Sequence, residues 1–207
     1  NDDKDWDAIF EVLNKIKSEF KENLPYKYLE VYGAEADDII ATLCKYTQTE
    51  KDRSKNEKVM IVSGDKDFIQ LQRYHNVDQY SPITKKHING YDPITYIKEH
   101  ILKGDTSDGV PNVLSPDHTF TEGLRQRPLS RKKIDTWIDI DMEDMTDEVK
   151  RNYQRNEKLI SLDKIPEELE DDILREFAGA PHGDRSKLLN YFIQTRLKSL
   201  TETIGEF

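Results

Sequence analysis

Val-Met-Ile-Val-Ser-Gly-Asp-Lys-Asp, residues 59–67, is the stretch on which the fold turns. Val59, Met60, Ile61 and Val62 make a short continuous apolar run between a polar loop and a glycine. Such a run suits a strand buried on both faces. Gly64 ends it, and the paired aspartates Asp65 and Asp67 follow at once. Outward from here, strand signals alternate with helix signals. Phe68 to Leu71 reads as a short helix, and Val77 to Tyr80 as another strand. Upstream, Tyr26 to Val31 alternates and is rich in aromatic and branched residues, the pattern of a short strand. Glu35 to Tyr46 then reads as a helix with acidic residues in its first turn. Trp6, Ile9, Phe10, Leu13, Ile16 and Phe20 recur at spacings of three and four, which predicts an amphipathic helix ending before Pro25. Lys51 to Lys58 reads as a polar loop. The alternation implies an α/β fold with a mixed, largely parallel sheet.

The second half changes character. Asp92-Pro93 is an N-cap followed by proline at the first helical position, and its helix is expected to carry Ile94, Ile97 and Ile101 inward. Turns follow from Asp105 to Pro116. Helices are expected around Lys132–Ile138, Glu148–Leu162, Pro166–Phe177 and Ser186–Leu200. The transition is placed near residue 100: residues 1–100 as an α/β portion, 101–207 as a helical portion.

The chain has 207 residues, a net charge of −10, and 35% charged residues. Its mean hydropathy is −0.83. No apolar run approaches the roughly 18 residues of a membrane span. The single cysteine, Cys44, cannot form an internal disulfide and reads as a buried structural thiol, so a cytoplasmic setting is expected. An acidic balance naively argues against a nucleic-acid partner.

The acidic residues, however, gather at element ends. Glu35, Asp37 and Asp38 open a helix; Asp65 and Asp67 follow a strand; Asp105 and Asp108 lie in Gly-Asp-Thr-Ser-Asp-Gly (104–109) at a helix end. In open α/β sheets, ligands bind beyond the carboxyl ends of the strands. Carboxylates converging there repel one another, and hard divalent cations remove that cost. Each cluster alone has an ordinary explanation as helix capping or an Asx turn. It is their joint occurrence at three element ends that points to a metal. The loop is no EF-hand, since its further ligands are missing. No Walker loop or G-x-G-x-x-G is present, and one cysteine argues against a Cys/His zinc site.

Three segments, AEADDIIATL (34–43), IVSGDKDFIQL (61–71) and KGDTSDGVPNV (103–113), resemble the motifs of the 5′-nuclease family in order and spacing. That family includes flap endonucleases, the 5′-3′ exonuclease domains of bacterial DNA polymerase I, and the ribonuclease H of T-even-type phages. The segments RNYQRNEKLISLDKIPEEL (151–169) and LNYFIQTRLKSLTETIGEF (189–207) look most like the last of these. The resemblance covers essentially the whole chain. It implies a PIN-like nuclease fold followed by a helical DNA-binding portion with a helix–three-turn–helix. Residues 1–100 would be the C-terminal part of the nuclease core. It implies a metal-dependent 5′-3′ exonuclease and flap endonuclease with ribonuclease H activity, removing RNA primers and 5′ flaps in DNA replication.

Carried over position by position, the resemblance makes Glu35, Asp37, Asp38, Asp65, Asp67, Asp105 and Asp108 metal ligands. Asp37, Asp65 and Asp67 would act in catalysis, and Asp38 would support the other ligands from behind. The cofactor implied is two Mg²⁺ ions, with Mn²⁺ able to substitute. The partners implied are DNA and RNA–DNA duplexes with 5′ ends or flaps. Replisome proteins such as a sliding clamp or single-strand-binding protein would join them. A monomer with no membrane association is expected.

Departures are equally specific. The glycine-rich hairpin that follows the third motif in cellular members is replaced by LSPDHTFTEGLRQRPLSRKK (114–133), so the resemblance does not carry the family's potassium site over to this chain. The basic run Arg125, Arg127, Arg131, Lys132 and Lys133 holds no acidic residue and could contact phosphates; the plainer alternative is a solvated helix face. The family's leading strand with its aspartate, a second early aspartate and a helical arch have no counterpart in the acidic start NDDKDWD. On that ground this stretch alone is expected to be catalytically impaired, and the competing reading is a non-catalytic DNA-binding or replisome-docking fragment.

Overall fold

The computed structural model describes residues 4–49, 56–140, 144–181 and 183–207. They pack as two units: residues 33–171, and residues 4–32 together with 172–207. The boundary read near residue 100 thus falls inside the larger unit.

The smaller unit opens with α1 (Trp6–Asn23), capped by Asp5, whose carboxylate accepts from Ala8 N–H at 3.0 Å. Its apolar face is exposed: Trp6 51% and Phe10 57%.

The larger unit begins with α2 (Ala36–Thr47). Glu35 is its N-cap, and the Glu35 backbone N–H donates to the Asp38 carboxylate at 2.9 Å. The sheet is mixed, with order β1-β2-β3 among the described residues. Strands β1 (Val59–Val62) and β2 (Val77–Ser81) run parallel, with Ile61 opposite Gln79. Strand β3 (Lys86–His87) returns antiparallel to β2. Between β1 and β2 lies a 3₁₀ helix, Asp67–Arg73, whose Phe68, Ile69 and Leu71 are buried. Ala41, Cys44, Ile61, Phe68, Leu71 and Val77 form the core beneath the sheet. Burial pushes the Cys44 thiol up to about 11, as befits an inert core residue.

Helix α3 (Pro93–Lys103) starts at Asp92, whose carboxylate accepts from Thr95 N–H at 2.8 Å. Gly104 ends it at φ +69, and residues 104–130 run through turns to α4 (Arg131–Ile138). Helix α5 (Asp147–Ile160) follows, then α6 (Glu167–Gly179). Leu102, Val113, Ile134 and Val149 close a second core.

The smaller unit ends in helices α7 (Leu188–Gln194) and α8 (Lys198–Glu202). Its core is Leu188, Tyr191 and Phe192, packed against Leu24, Leu197, Leu200 and Phe207.

The structure corrects four local expectations. Tyr26–Val31 is not a strand: no ladder partner lies beside it among the described residues. Strand β1 is buried on one face only, with Ile61 inside and Met60 and Val62 exposed. Ile94 is exposed, and the inward face of α3 is carried by Ile97, Ile101 and Leu102. The helix expected over Ser186–Leu200 is broken at Arg196. There φ reaches +58, and Leu197 N–H reaches back to Phe192 O at 2.8 Å, a Schellman-type ending without the usual glycine. Leu189 and Ile193 of α7 face solvent. Of the loop Lys51–Lys58, residues 51–55 lie outside the described residues.

Candidate metal centre

Three chain reversals deliver the acidic residues, and each is shaped by a local rule. The first is the start of α2. Asp37 sits in its first turn, flanked by the Glu35 cap and by Asp38. The second is the exit from β1, where Asp65 Oδ1 accepts from Asp67 N–H at 3.0 Å and so opens the 3₁₀ helix. The third is the exit from α3. Asp105 Oδ1 accepts from Ser107 N–H at 2.8 Å, and from its hydroxyl, in an Asx turn. Gly104 is obligatory here: a Cβ would lie 2.3 Å from Val110 O.

Electrostatics ties these three turns together. Burial, then the charges of Asp65, Asp67, Glu35 and Asp38, push the Asp37 carboxyl up to about 6. Burial also raises Asp67; His100 opposes the rise, and Asp65, Asp105 and Asp108 add to it. Tyr96 is pushed up to about 12 by burial and by Asp67, Asp65 and Asp105 among its neighbours. Burial would raise Asp105 as well, but hydrogen bonds from Ser107, Asp108 and His100 hold it below the ordinary range. The charges of Glu35, Asp38, Asp65 and Asp67 are felt at Asp37, and those of Asp65, Asp105 and Asp108 at Asp67. A divalent cation is the chemistry that relieves so many like charges where burial already disfavours ionisation.

Four residues that shape this site went unread in the sequence. His100, on the last turn of α3, stands between two of the motifs: Nε2 is 3.1 Å from Asp105 Oδ2 and Nδ1 is 3.4 Å from Asp67 Oδ1. Single ligand atoms of Asp67, His100 and Asp105 lie within 4.8 Å of one another. The buried Nδ1 atom makes no hydrogen bond. Gln79, fully buried on β2, donates through Nε2 to the carbonyls of Ser63 and Asp65 and so fixes the β1 exit. Asn152 and Asn156, one turn apart on α5, do the same for the third motif. Asn156 donates to Ile101 O at 2.8 Å and Pro111 O at 2.9 Å; Asn152 donates to Val113 O at 3.0 Å. The i, i+4 asparagine pair on one helix face was the available signal; His100 offered none beyond its nearness to Gly104 in sequence.

The basic residues lie in the same unit. Arg125 and Arg127 line a surface cleft of about 710 Å³ with Lys103 and Asn112. Arg127 pairs with Glu148 at 3.1 Å, and Arg131 with Glu99 and Asp135, both at 2.7 Å. Lys133 lies over the Trp137 ring at 4.8 Å, and Lys132 is exposed. The arginine pairs are solvent-exposed and contribute little to stability, so their cationic heads stay exchangeable.

A mixed sheet with acidic residues at three turns suits a site for divalent metal ions. Residues 6–100 match the family model for the 5′-3′ exonuclease N-terminal resolvase-like domain. Residues 92–207 match the model for the C-terminal part of T4 RNase H. The chain is 35% identical to ribonuclease H of Enterobacteria phage T4, over 98% of its own length and 68% of that protein. It is 38% identical to a 5′-3′ exonuclease of Buchnera aphidicola, over 44% of this chain and 33% of that one. It is also 32% identical to DNA polymerase I of Streptococcus pneumoniae, over 48% of this chain and 13% of that one. The chain belongs to the T4-type ribonuclease H family of 5′-3′ exonucleases. Among the described residues no helix is long and apolar enough to cross a membrane.

Proposed function

We propose that this protein cuts phosphodiesters at 5′ ends and flaps of DNA and RNA–DNA duplexes, using Mg²⁺ or Mn²⁺, and so removes RNA primers during replication in the cytoplasm. The observation that carries it is the meeting of the second and third acidic motifs around His100, where ligand atoms of Asp67, His100 and Asp105 lie within 4.8 Å of one another. Glu35, Asp37, Asp65, Asp67, Asp105 and Asp108 would hold the metal, with Asp38 supporting the Glu35 backbone. Bound divalent ions supply charge neutralisation and a water acidic enough to attack phosphorus. Gln79 and the α5 asparagines hold the ligand-bearing loops in place before substrate arrives. In this reading residues 1–100, together with Asp105 and Asp108, carry the chemistry, and the rest of residues 101–207 the grip on the duplex. Arg125, Arg127, Arg131, Lys132 and Lys133 would contact phosphates without reading sequence.

The test is cleavage of a labelled 5′-flap duplex and an RNA-primed duplex by the full protein carrying this chain. Cleavage should require the divalent ion and should vanish in the Asp65→Asn, Asp105→Asn double variant. Undiminished cutting by that variant would sink the assignment.

A further inference from the structure

Asn112 and Ser115 tie the turn that carries the third acidic motif to the loop that carries Arg125 and Arg127. Both are buried polar residues, 6% and 0% exposed. Between them they take up both backbone groups of Arg127. Asn112 Nδ2 donates to Arg127 O at 2.9 Å, and Arg127 N–H donates to Ser115 Oγ at 2.9 Å. The Ser115 hydroxyl in turn donates to Asn112 Oδ1 at 3.0 Å, so the two ties share one hydrogen-bonded pair. A third tie runs from Asn112 N–H to Gln126 Oε1 at 2.7 Å. Two side chains thus satisfy the Arg127 backbone as a neighbouring strand would. The Arg127 side chain stays exposed and lines the cleft with Arg125 and Lys103. On its other side Asn112 is fixed to the Asp105 turn. Val110 N–H donates to Asp105 O at 2.6 Å, and Val113 N–H to Leu102 O at 3.1 Å. Asn156, on α5, holds Pro111 O at 2.9 Å. The path from Asp105 to Arg127 is therefore one backbone pairing, the short stretch from Val110 to Asn112, and one buried amide.

We propose that Asn112 is a positioning residue: it fixes the spacing between the Asp105 turn and the phosphate grip of Arg127, and so selects which phosphodiester of a bound duplex reaches the metal centre. This rests on the nuclease reading and adds to it. The carboxylates do the cutting, and the Asn112–Ser115 bracket decides where. Contacts to phosphate carry no base information. A grip on the backbone alone defines the cut only by distance, measured from where the strand is held to where it is opened. Successive phosphates of one strand are roughly 3.4 Å apart along the helix axis. A loop that slackens by that much presents the neighbouring bond instead.

The experiment maps the cut. The full protein carrying this chain is incubated with an end-labelled 5′-flap duplex and Mg²⁺, and the products are resolved to single nucleotides. Asn112→Ala is expected to spread cutting onto neighbouring phosphodiesters. At the parent's main position kcat should fall by roughly tenfold or more with KM little changed, since a misplacement of about 1 Å can cost about 100-fold. Mg²⁺ affinity without substrate and the salt dependence of duplex binding should keep their parent values, because the carboxylates and the cationic heads are intact. A purely structural Asn112 would lower the melting temperature and leave the cut pattern as it was. Gln126→Ala removes the third tie and spares the buried pair. It should give the same spreading in weaker form, and it serves if Asn112→Ala does not fold. An unchanged cut pattern in Asn112→Ala, or in Gln126→Ala where the first variant does not fold, overturns this proposal and leaves the nuclease reading standing. Failure of the parent to cut at all overturns both.

Discussion

Gln79, in the middle of β2, holds the backbone of Asp65 at the exit of β1: its amide donates to the carbonyls of both Ser63 and Asp65. The same amide's oxygen accepts from Gln72 at 3.0 Å, so every polar atom of this buried side chain is used. Gln79→Leu keeps the volume but leaves two carbonyls unpaired. A loss of about 1–3 kcal/mol is expected in urea unfolding. Divalent-ion affinity should also fall by roughly 10–100-fold. A variant with full stability and full affinity would contradict this role.

Gly104 and Gly109 bracket the third motif, both with positive φ, at +69 and +74. Their surroundings differ: a Cβ at Gly104 meets Val110 O and the Pro111 carbonyl, while one at Gly109 meets nothing within 4 Å. Gly109→Ala should cost about 1–2 kcal/mol, the strain of left-handed backbone alone. Gly104→Ala should cost more than roughly 4 kcal/mol, the range of exceptional destabilisation, or abolish folding. Denaturation midpoints of the two variants check the contrast.

Asp37 links pH to stability in the metal-free protein. Its folded pKa, about 6, lies above its ordinary value. The native state therefore binds more protons than the unfolded one between about pH 4 and 6. Stability should fall as pH rises through that window, by about 1 kcal/mol once solvent screening is allowed for. Asp37→Asn should flatten the fall and raise metal-free stability at pH 7, while removing activity. Saturating Mg²⁺ should reverse the trend in the parent. Melting temperatures at pH 5 and 7, with chelator and with Mg²⁺, decide it.

Arg131 and Lys132 open α4 on an exposed surface. If they neutralise phosphates, Arg131→Ala with Lys132→Ala should reduce the slope of log affinity against log salt by roughly 0.9 for each phosphate no longer neutralised. Fluorescence anisotropy with duplex DNA between low and moderate salt measures it; an unchanged slope would refute the role.

Arg196 occupies a left-handed position at the end of α7 that glycine usually fills. Arg196→Gly should relieve roughly 1 kcal/mol of backbone strain, part of it offset by the greater freedom of glycine in the unfolded chain. The expected outcome is a small rise in melting temperature.

Much of this architecture was legible from period and punctuation. Val59–Val62, Asp92-Pro93 and the acidic starts announced β1, α3 and α2, because each signal is local. The failures are all tertiary. Tyr26–Val31 has strand composition, but a strand exists only beside a partner. Met60 and Val62 belong to an apolar run whose second face is not covered. The break at Arg196 lies in a non-glycine residue, so no local residue type marked it. In the centre itself the carboxylates were readable, since charge at element ends is a sequence pattern. Gln79 was not, since an amide's importance depends on which distant carbonyl it meets; the spacing of Asn152 and Asn156 marked a shared helix face but not the carbonyls it serves.

Those three amides have a further property: none of them carries a proton that can be lost or gained in the working range of pH. The loops bearing Asp65 and Asp105 hang on groups that stay chemically constant while the carboxylates between them change charge. Acidification should therefore empty the centre of its ions without unshaping it. On return to neutrality the emptied protein should reload at once, with no slow refolding phase.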